Sequence, residues 1–404
     1  MNLNRGRALT SIPGPSVIPE DVLRSMHRSF PNMYEGPLVD ISHSVFDDLP
    51  KVAHTEGKVF MAISNGHGAW EMSLTNTMRR GDKVLVLASG RFAIGWGEQA
   101  EQLGCEVETI DFGDRGPVDP DRVEERLRAD TAHEIKAILV VQIDTASGVW
   151  NDIGAIRKAI DAAGHPALYM VDCVASLASV PYFMDAWGVD ITIGGSQKGL
   201  MVPPGLGLVW ASEKALKAHE TAEMVTPYWN WTPRLMDGAH YLKFCGTPPI
   251  QHIYAMRTAL DMLFDEGLEN VWARHTVFAD AVRAAVEAWA APGGFELNIT
   301  DLAHRSDATT TILGGSIDCK EMRRICETDA GLVLGVGLGS FEDKAFRIGH
   351  MGHLNPPMVL GTLGTIEATL AHMGASMGGS GIAAASRVIA EALGRKAEFR
   401  AAAE

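Results

Sequence analysis

Two stretches decide the fold: Ala167-Leu168-Tyr169-Met170-Val171-Asp172 and Asp190-Ile191-Thr192-Ile193-Gly194-Gly195-Ser196-Gln197-Lys198-Gly199. Each is a short apolar run that stops at a polar or glycine residue, as a strand buried on both faces does. Working outward, residues 59–63, 83–88, 105–110, 135–143 and 207–211 read the same way, and 69–78, 91–103 and 153–163 read as the helices between them. Buried strands alternating with helices predict an α/β fold with a mainly parallel seven-stranded sheet covered on both sides. Ligands of such sheets bind beyond the carboxyl ends of the strands, where the polar and glycine-rich segments of this chain fall.

A long helical stretch runs from beyond Pro248 to about Trp289, and Pro292-Gly293-Gly294 marks a break. After it come a strand near 309–313, a helix near 320–328, a glycine-rich turn through Gly335, Gly337 and Gly339, and a strand ending Phe346-Arg347-Ile348. Residues 371–385 are rich in Gly, Ala, Met and Ser, which suits a loop and closely packed helix starts. The expected division is an N-terminal arm over 1–20, a large domain over 21–290 and a smaller α+β domain over 291–404. The arm, Ile12-Pro13-Gly14-Pro15-Ser16-Val17-Ile18-Pro19, has two readings: a brace on its own domain, or a segment whose Gly14 brings backbone close to a ligand.

Composition narrows the function. The 404 residues carry 35 Lys and Arg against 50 Asp and Glu, a formal charge of −15, so nucleic acid and anionic membrane are poor partners. No apolar run reaches the roughly 18 residues of a membrane span, and residues 1–11 lack the apolar stretch of a secretory signal, so a cytoplasmic location is expected. The five cysteines form no CxxC pair and read as reduced thiols. The 14 histidines include no HExxH spacing, and no metal is expected.

Lys198 directly follows an apolar strand, where a lysine is able to form a Schiff base with an aldehyde; most lysines so placed are simply solvated. Asp172 ends another strand and can lie at the same sheet edge, holding a ring nitrogen protonated or merely capping the next turn. Ser64-Asn65-Gly66-His67-Gly68 links a strand to a helix, where free N–H groups favour a phosphate, although most glycine turns of this kind are structural.

These residues belong to an ordered set that resembles the class V aminotransferases of fold-type I pyridoxal-phosphate enzymes, in particular their serine–glyoxylate and alanine–glyoxylate members. The set covers nearly the whole chain: Pro13-Gly14-Pro15; Gly66-His67; Val171-Asp172-Cys173-Val174-Ala175-Ser176-Leu177; Met184-Asp185; Gly188-Val189-Asp190; Gly194-Gly195-Ser196-Gln197-Lys198; Pro203-Pro204-Gly205; and Phe346-Arg347-Ile348-Gly349-His350-Met351-Gly352. The resemblance implies pyridoxal 5'-phosphate as cofactor, Lys198 as Schiff-base lysine and acid/base, and Asp172 as partner of the pyridine nitrogen. It puts Asn65, Gly66, His67 and Gln197 at phosphate positions, Phe92 and Val174 on the ring faces, and Thr145 at the 3'-oxygen. Arg347 falls at the arginine that grips the substrate carboxylate, and Gly14 lies near the substrate. Without the resemblance, Phe92 and Val174 read as plain core residues.

The resemblance also implies a homodimer in which a threonine, here Thr247, and a tyrosine reach the neighbouring cofactor. This chain has Phe244 at the tyrosine position, with Tyr241 three residues away. Near the entrance, Tyr34-Glu35-Gly36-Pro37 stands where serine–glyoxylate enzymes commonly carry His-Arg-Ser-Pro, and Val17 replaces a common asparagine. Tyr34 and Glu35 are therefore candidate substrate residues that loosen the link to serine. The expected activity is ping-pong transamination between a small amino acid, serine or alanine first, and a 2-oxo acid such as glyoxylate. Its rivals are other donors or acceptors such as aspartate, an amine or pyruvate; a lyase or cysteine desulfurase on the same fold; and a dimeric binding protein without catalysis. A dinucleotide enzyme is disfavoured by the lack of GxGxxG after the first strand.

Overall fold

A computed structural model describes residues 3–394; residues 1–2 and 395–404, the outer ends of the expected arm and smaller domain, lie outside them. Seven strands form the larger sheet in the spatial order Lys58–Ile63, Leu206–Ala211, Ile191–Gly195, Leu168–Asp172, Ile135–Val141, Lys83–Ala88, Glu106–Asp111. Four ladders are parallel, whereas Leu206–Ala211 runs antiparallel to both of its neighbours, so the topology is mixed. Only residues 196–205 join Gly195 to Leu206, fewer than the roughly dozen that a parallel crossover needs. The other six strands all end at one edge of the sheet, and the chain turns back there through Lys198.

Alternation along each strand builds two cores. Leu85, Leu87, Ile138, Val140, Tyr169 and Val171 pack on one face with helices Pro37–Ala53, Ile153–Ala162 and Ile250–Glu266. Val84, Val86, Ala137, Leu139, Leu168 and Met170 pack on the other with Gly66–Thr75 and Arg91–Leu103. Each fully buried Val, Leu or Ile contributes about 1.5–3 kcal/mol. The same period of two turns Asp172 toward the second face, where Trp70 is packed.

Several helices went unread in the sequence, among them Pro37–Ala53. Its signals are Pro37 at the first turn and Leu38, Ile41, Val45, Leu49 and Val52 at three- and four-residue spacing. Others are Pro120–Ala129, Glu213–His219, the four-residue Thr232–Leu235 and Pro356–His372. The stretch up to Trp289 is two helices, Ile250–Glu266 and Leu268–Trp289, parted at Gly267.

A second sheet has the order Leu9–Ser11, Leu332–Val336, Ala345–Gly349, Thr309–Leu313, Glu296–Leu297, and is covered by helices Leu268–Trp289, Cys319–Ala330 and Pro356–His372. The N-terminal arm is part of it: Leu9, Thr10 and Ser11 pair in parallel with Leu332, Val333 and Leu334. Gly335 lies inside a strand, and Gly339 opens a short 3-10 turn, so the expected glycine-rich turn begins later than the sequence suggests. Residues 371–385 hold the end of Pro356–His372 and the start of Gly381–Ala392, which Ser380 caps through Ala383 N–H. Among the described residues no helix is long and apolar enough to cross a membrane.

One buried ion pair fastens the helix Leu268–Trp289 to the turn before Thr309. Arg283 Nη2 donates to Asp307 Oδ1 at 2.7 Å, and Thr276 Oγ1 donates to Asp307 Oδ2 at 2.8 Å. Asp280 Oδ1 also accepts from Arg283 Nη1 at 2.8 Å, so Asp307→Ala leaves the guanidinium partly compensated and is expected to lower the unfolding free energy by about 3 kcal/mol. Denaturant titration of the two proteins checks this.

Candidate active site

The carboxyl edge of the larger sheet opens into one cavity of about 310 Å³. It is lined by Gly14, Asn65, Gly66, His67, Phe92, Thr145, Asp172, Val174, Gln197 and Lys198, together with Trp70. Ten expected site residues from six separate segments are thus brought together.

The turn after Lys58–Ile63 enters the helix Gly66–Thr75. Asn65 caps that helix, its Oδ1 accepting from His67 N–H at 3.1 Å and Gly68 N–H at 3.4 Å. This turn packs so closely on the antiparallel strand that a Cβ at Gly207 would overlap Ser64 Oγ and lie 2.7 Å from Asn65 O. Val174 lies over Gly66, where an added Cβ would meet its Cγ2 at 2.9 Å.

Asp172 lies at the edge of the sheet, buried, with both oxygens engaged. Oδ2 accepts from Trp70 Nε1 at 2.8 Å and Oδ1 from Val174 N–H at 2.7 Å. Burial raises its pKa to about 6, partly opposed by these two hydrogen bonds. Lys198 is partly buried, and its Nζ donates to Pro13 O. Burial lowers its pKa to about 8, helped by the cationic Arg347 and opposed by Asp172. The arm holds the lysine's backbone as well: Ser16 N–H donates to Gln197 O at 2.9 Å, and Ser16 Oγ to Lys198 O at 2.7 Å.

Thr145 and Phe92 are set by Asp144, whose role the sequence reading missed. Its buried carboxylate accepts from Phe92 N–H at 2.7 Å and Ala146 N–H at 2.8 Å, and burial raises its pKa. An aspartate opening Asp144-Thr145-Ala146-Ser147-Gly148 is the legible signal of such a turn. Trp70 was missed too; it falls three residues after His67 on the same helix face, their rings 4.5 Å apart.

Arg347, only 7% exposed, comes from the middle strand of the second sheet. Nη1 donates to Thr145 O at 2.8 Å and Nε to Val336 O at 2.6 Å, which fixes the plane of the guanidinium and leaves other donors over. Burial lowers its pKa to about 10, so it remains a cation at neutral pH.

Four expected residues lie outside this cavity. Tyr34 and Glu35 are exposed in the segment before Gly36; Tyr34 makes an edge contact with Tyr241 at 6.4 Å, and Glu35 accepts from Asn32 Nδ2 at 3.3 Å. Thr247 is exposed beyond the 3-10 turn His240–Phe244. Phe244 is only 1% exposed and packs against Phe46 and His240 of its own chain, because an unbroken apolar ring belongs in the core.

The cavity meets the requirements of pyridoxal 5'-phosphate. It offers a buried carboxylate, a partly buried amine with no carboxylate bonded to it, and a capped helix N-terminus.

Comparison with known proteins agrees with that geometry. Residues 64–342 match the family model described as aminotransferase class-V. The chain is 41% identical to the serine–glyoxylate aminotransferase of Methylorubrum extorquens, over 96% of this chain and 97% of the relative. It is 38% identical to the L-aspartate–glyoxylate aminotransferase of Paracoccus denitrificans, over 93% and 94% respectively. The crystal structure of pyridoxamine–pyruvate aminotransferase from Mesorhizobium loti superposes with a TM-score of 0.88 at 27% identity, over 97% of this chain and 100% of that one. With the lysine and the aspartate in one cavity, the arginine bonded to Thr145 of its lining, and the likeness running end to end, the chain belongs to the class-V aminotransferase family, whose fold is that of fold-type I pyridoxal-phosphate enzymes.

Proposed function

We propose that the protein is a pyridoxal 5'-phosphate-dependent aminotransferase that passes an amino group from a small amino acid, serine or alanine first, to a 2-oxo acid such as glyoxylate, by a ping-pong cycle. The observation that carries this reading is the placement of Lys198 and Asp172 in one cavity, with Arg347 bonded to Thr145 of its lining, each held by neutral donors or acceptors. When bound, the cofactor supplies an aldehyde and a protonated ring that withdraws electrons from the substrate's α carbon.

The chain's own groups do the rest. Asp172, kept anionic by Trp70 and Val174 N–H, holds the proton on the ring nitrogen. Asn65, Gly66, His67 and Gln197 receive the phosphate, with Phe92 and Val174 against the ring and Thr145 at its oxygen. Lys198, with an amine that is readily neutral, would take the α proton and return it to the carbon on the far side of the amino nitrogen. Arg347 receives the α-carboxylate, and its two backbone bonds set the angle at which that carboxylate sits.

Glyoxylate as acceptor is supported by the serine–glyoxylate and aspartate–glyoxylate relatives together, whereas their different donors leave serine, alanine and aspartate in competition. A homodimer is part of this reading, in which the exposed Thr247 and Tyr241 would lie near the neighbouring subunit's cavity. Some cysteine desulfurases share the fold at 15% identity, but Cys319 and Cys326 are buried in the second core with thiols pushed up by burial, so neither is a ready nucleophile.

The direct test is an absorbance scan of cofactor-loaded protein with serine, alanine, aspartate and basic amines in turn. Conversion to the pyridoxamine form by one donor, reversed by glyoxylate, is expected; bound cofactor that no donor converts contradicts the proposal. Replacing Arg347 by lysine removes the planar fork and is expected to lower kcat/KM for the amino acid about a hundredfold. The rate at which free cofactor attaches to Lys198 is expected to rise with pH through about 8 and then level off, because the amine is protonated below that pH and neutral above it. Stopped-flow absorbance from pH 6 to 10 measures it.

Gly14 adds a steric prediction. Its φ of 105° is strained for any residue with a Cβ, and that Cβ would overlap Cδ, Cε and Nζ of Lys198. Gly14→Ala is expected to slow cofactor attachment at least tenfold while the fold persists, as measured by absorbance and circular dichroism.

A further inference from the structure

Trp70 has no part in the reading above beyond its bond to Asp172, yet its surroundings are unusual for a core tryptophan. It is 2% exposed, lines the cavity, and spends its single N–H on a carboxylate. Tryptophan is a donor only, so the bond has one direction: the indole gives and Asp172 receives. The ring is held on both sides, stacked on Trp96 at 5.9 Å and 11° and touched by His67 at 4.5 Å, so the donor is fixed before any ligand arrives.

The need for such a donor follows from what faces Asp172. Asp144 is a second buried carboxylate whose charge opposes ionisation of Asp172, and Cys173 next to it is a buried thiol with no charge to offer. Lys198 and its neighbour Arg347 are the cations on this side; Lys198 favours the anion, but its Nζ is bonded to Pro13 O and makes no bond to the carboxylate. Desolvation and Asp144 therefore work against the charged form, and the two N–H groups carry the opposing load. The Val174 N–H comes with the turn that follows the strand, whereas the Trp70 N–H comes from a different element, the helix Gly66–Thr75 that also opens onto the proposed phosphate site.

We propose that Trp70 is a positioning residue that keeps Asp172 ionised and aimed, and so couples the helix at the phosphate end of the cofactor to the protonation of its ring nitrogen. The proposal rests on the pyridoxal 5'-phosphate reading for its purpose, but its physical core, a donor that sustains a buried carboxylate, is testable without any cofactor.

The experiment follows the carboxyl stretch of Asp172 by infrared titration of the full-length cofactor-free protein, with Asp172→Asn identifying the band. Trp70→Phe keeps an aromatic ring and loses the N–H, and is expected to raise the Asp172 midpoint by about one pH unit. Trp96→Phe disturbs the same aromatic stack without touching that bond and is expected to leave the midpoint in place. Equal shifts in both variants, or none in Trp70→Phe, overturn the proposal. Should Trp70→Phe fail to fold, ¹⁵N-tryptophan-labelled wild type decides: one indole N–H resonance must move with the Asp172 midpoint and be displaced in Asp172→Asn, and its absence overturns the proposal equally. In cofactor-loaded protein, Trp70→Phe is expected to weaken retention of pyridoxal 5'-phosphate about tenfold by equilibrium dialysis. A wild type that binds no pyridoxal 5'-phosphate refutes the functional reading instead, while the infrared midpoints still judge the role of Trp70.

Discussion

Asp172 and Lys198 are opposite charges at one edge of one sheet, the first buried and the second partly buried, and no ion pair joins them among the described residues. Each is satisfied by a neutral group instead, the carboxylate by an indole and a peptide N–H, the amine by a peptide carbonyl. Had they paired directly, the contact would occupy the space a ligand needs and bind the lysine's proton more tightly. Desolvation, with no direct ion pair to offset it, makes the carboxylate costly to ionise and the amine easy to neutralise, with pKa values shifted to about 6 and about 8. A group with an aldehyde at one end and a basic nitrogen across its ring relieves both at once.

That separation is built from connectivity. Because residues 196–205 turn the chain straight back, Lys198 stays at the carboxyl edge rather than travelling with a crossover helix, and the returning strand supports the Ser64-Asn65 turn at Gly207. The N-terminal arm then spans the two sheets: Leu9–Ser11 is a strand of the second, and Pro13 and Ser16 bond the lysine segment of the first. Arg347 completes the link from the other side through Thr145 O. The arm and the arginine strand thus connect both sheets to one cavity, and a shift between the sheets would be felt by Lys198 and Thr145.

Much of this was legible in the sequence because it depends on local pattern. Apolar runs ending at Asp172 and just before Lys198 are short enough to be strands, and period-two alternation sorts their side chains between two cores. The ordered motifs then carried ten residues to one cavity. What local pattern does not contain is which distant group completes a partner. Trp70 looks like one more apolar position of a helix until the fold sets it beside Asp172, and Asp144 looks like a turn residue until Phe92 comes to it from another loop. Strand direction at Leu206–Ala211 was hidden because parallel and antiparallel strands share composition when both faces are buried. Thr247 marks a different boundary: its expected role depends on a second subunit, and in one chain it is a surface residue beyond the turn His240–Phe244.

The central claim is that Lys198 is the residue to which the cofactor attaches. Borohydride reduction of protein incubated with pyridoxal 5'-phosphate, followed by peptide mass mapping, tests it most directly. The account predicts one reduced pyridoxyl group per chain, on Lys198 alone, and none after the half-reaction with an amino donor, which leaves the cofactor in its pyridoxamine form with no covalent bond to the protein. Modification spread over surface lysines, or a protein in which Lys198 stays unmodified while cofactor is bound, would contradict it.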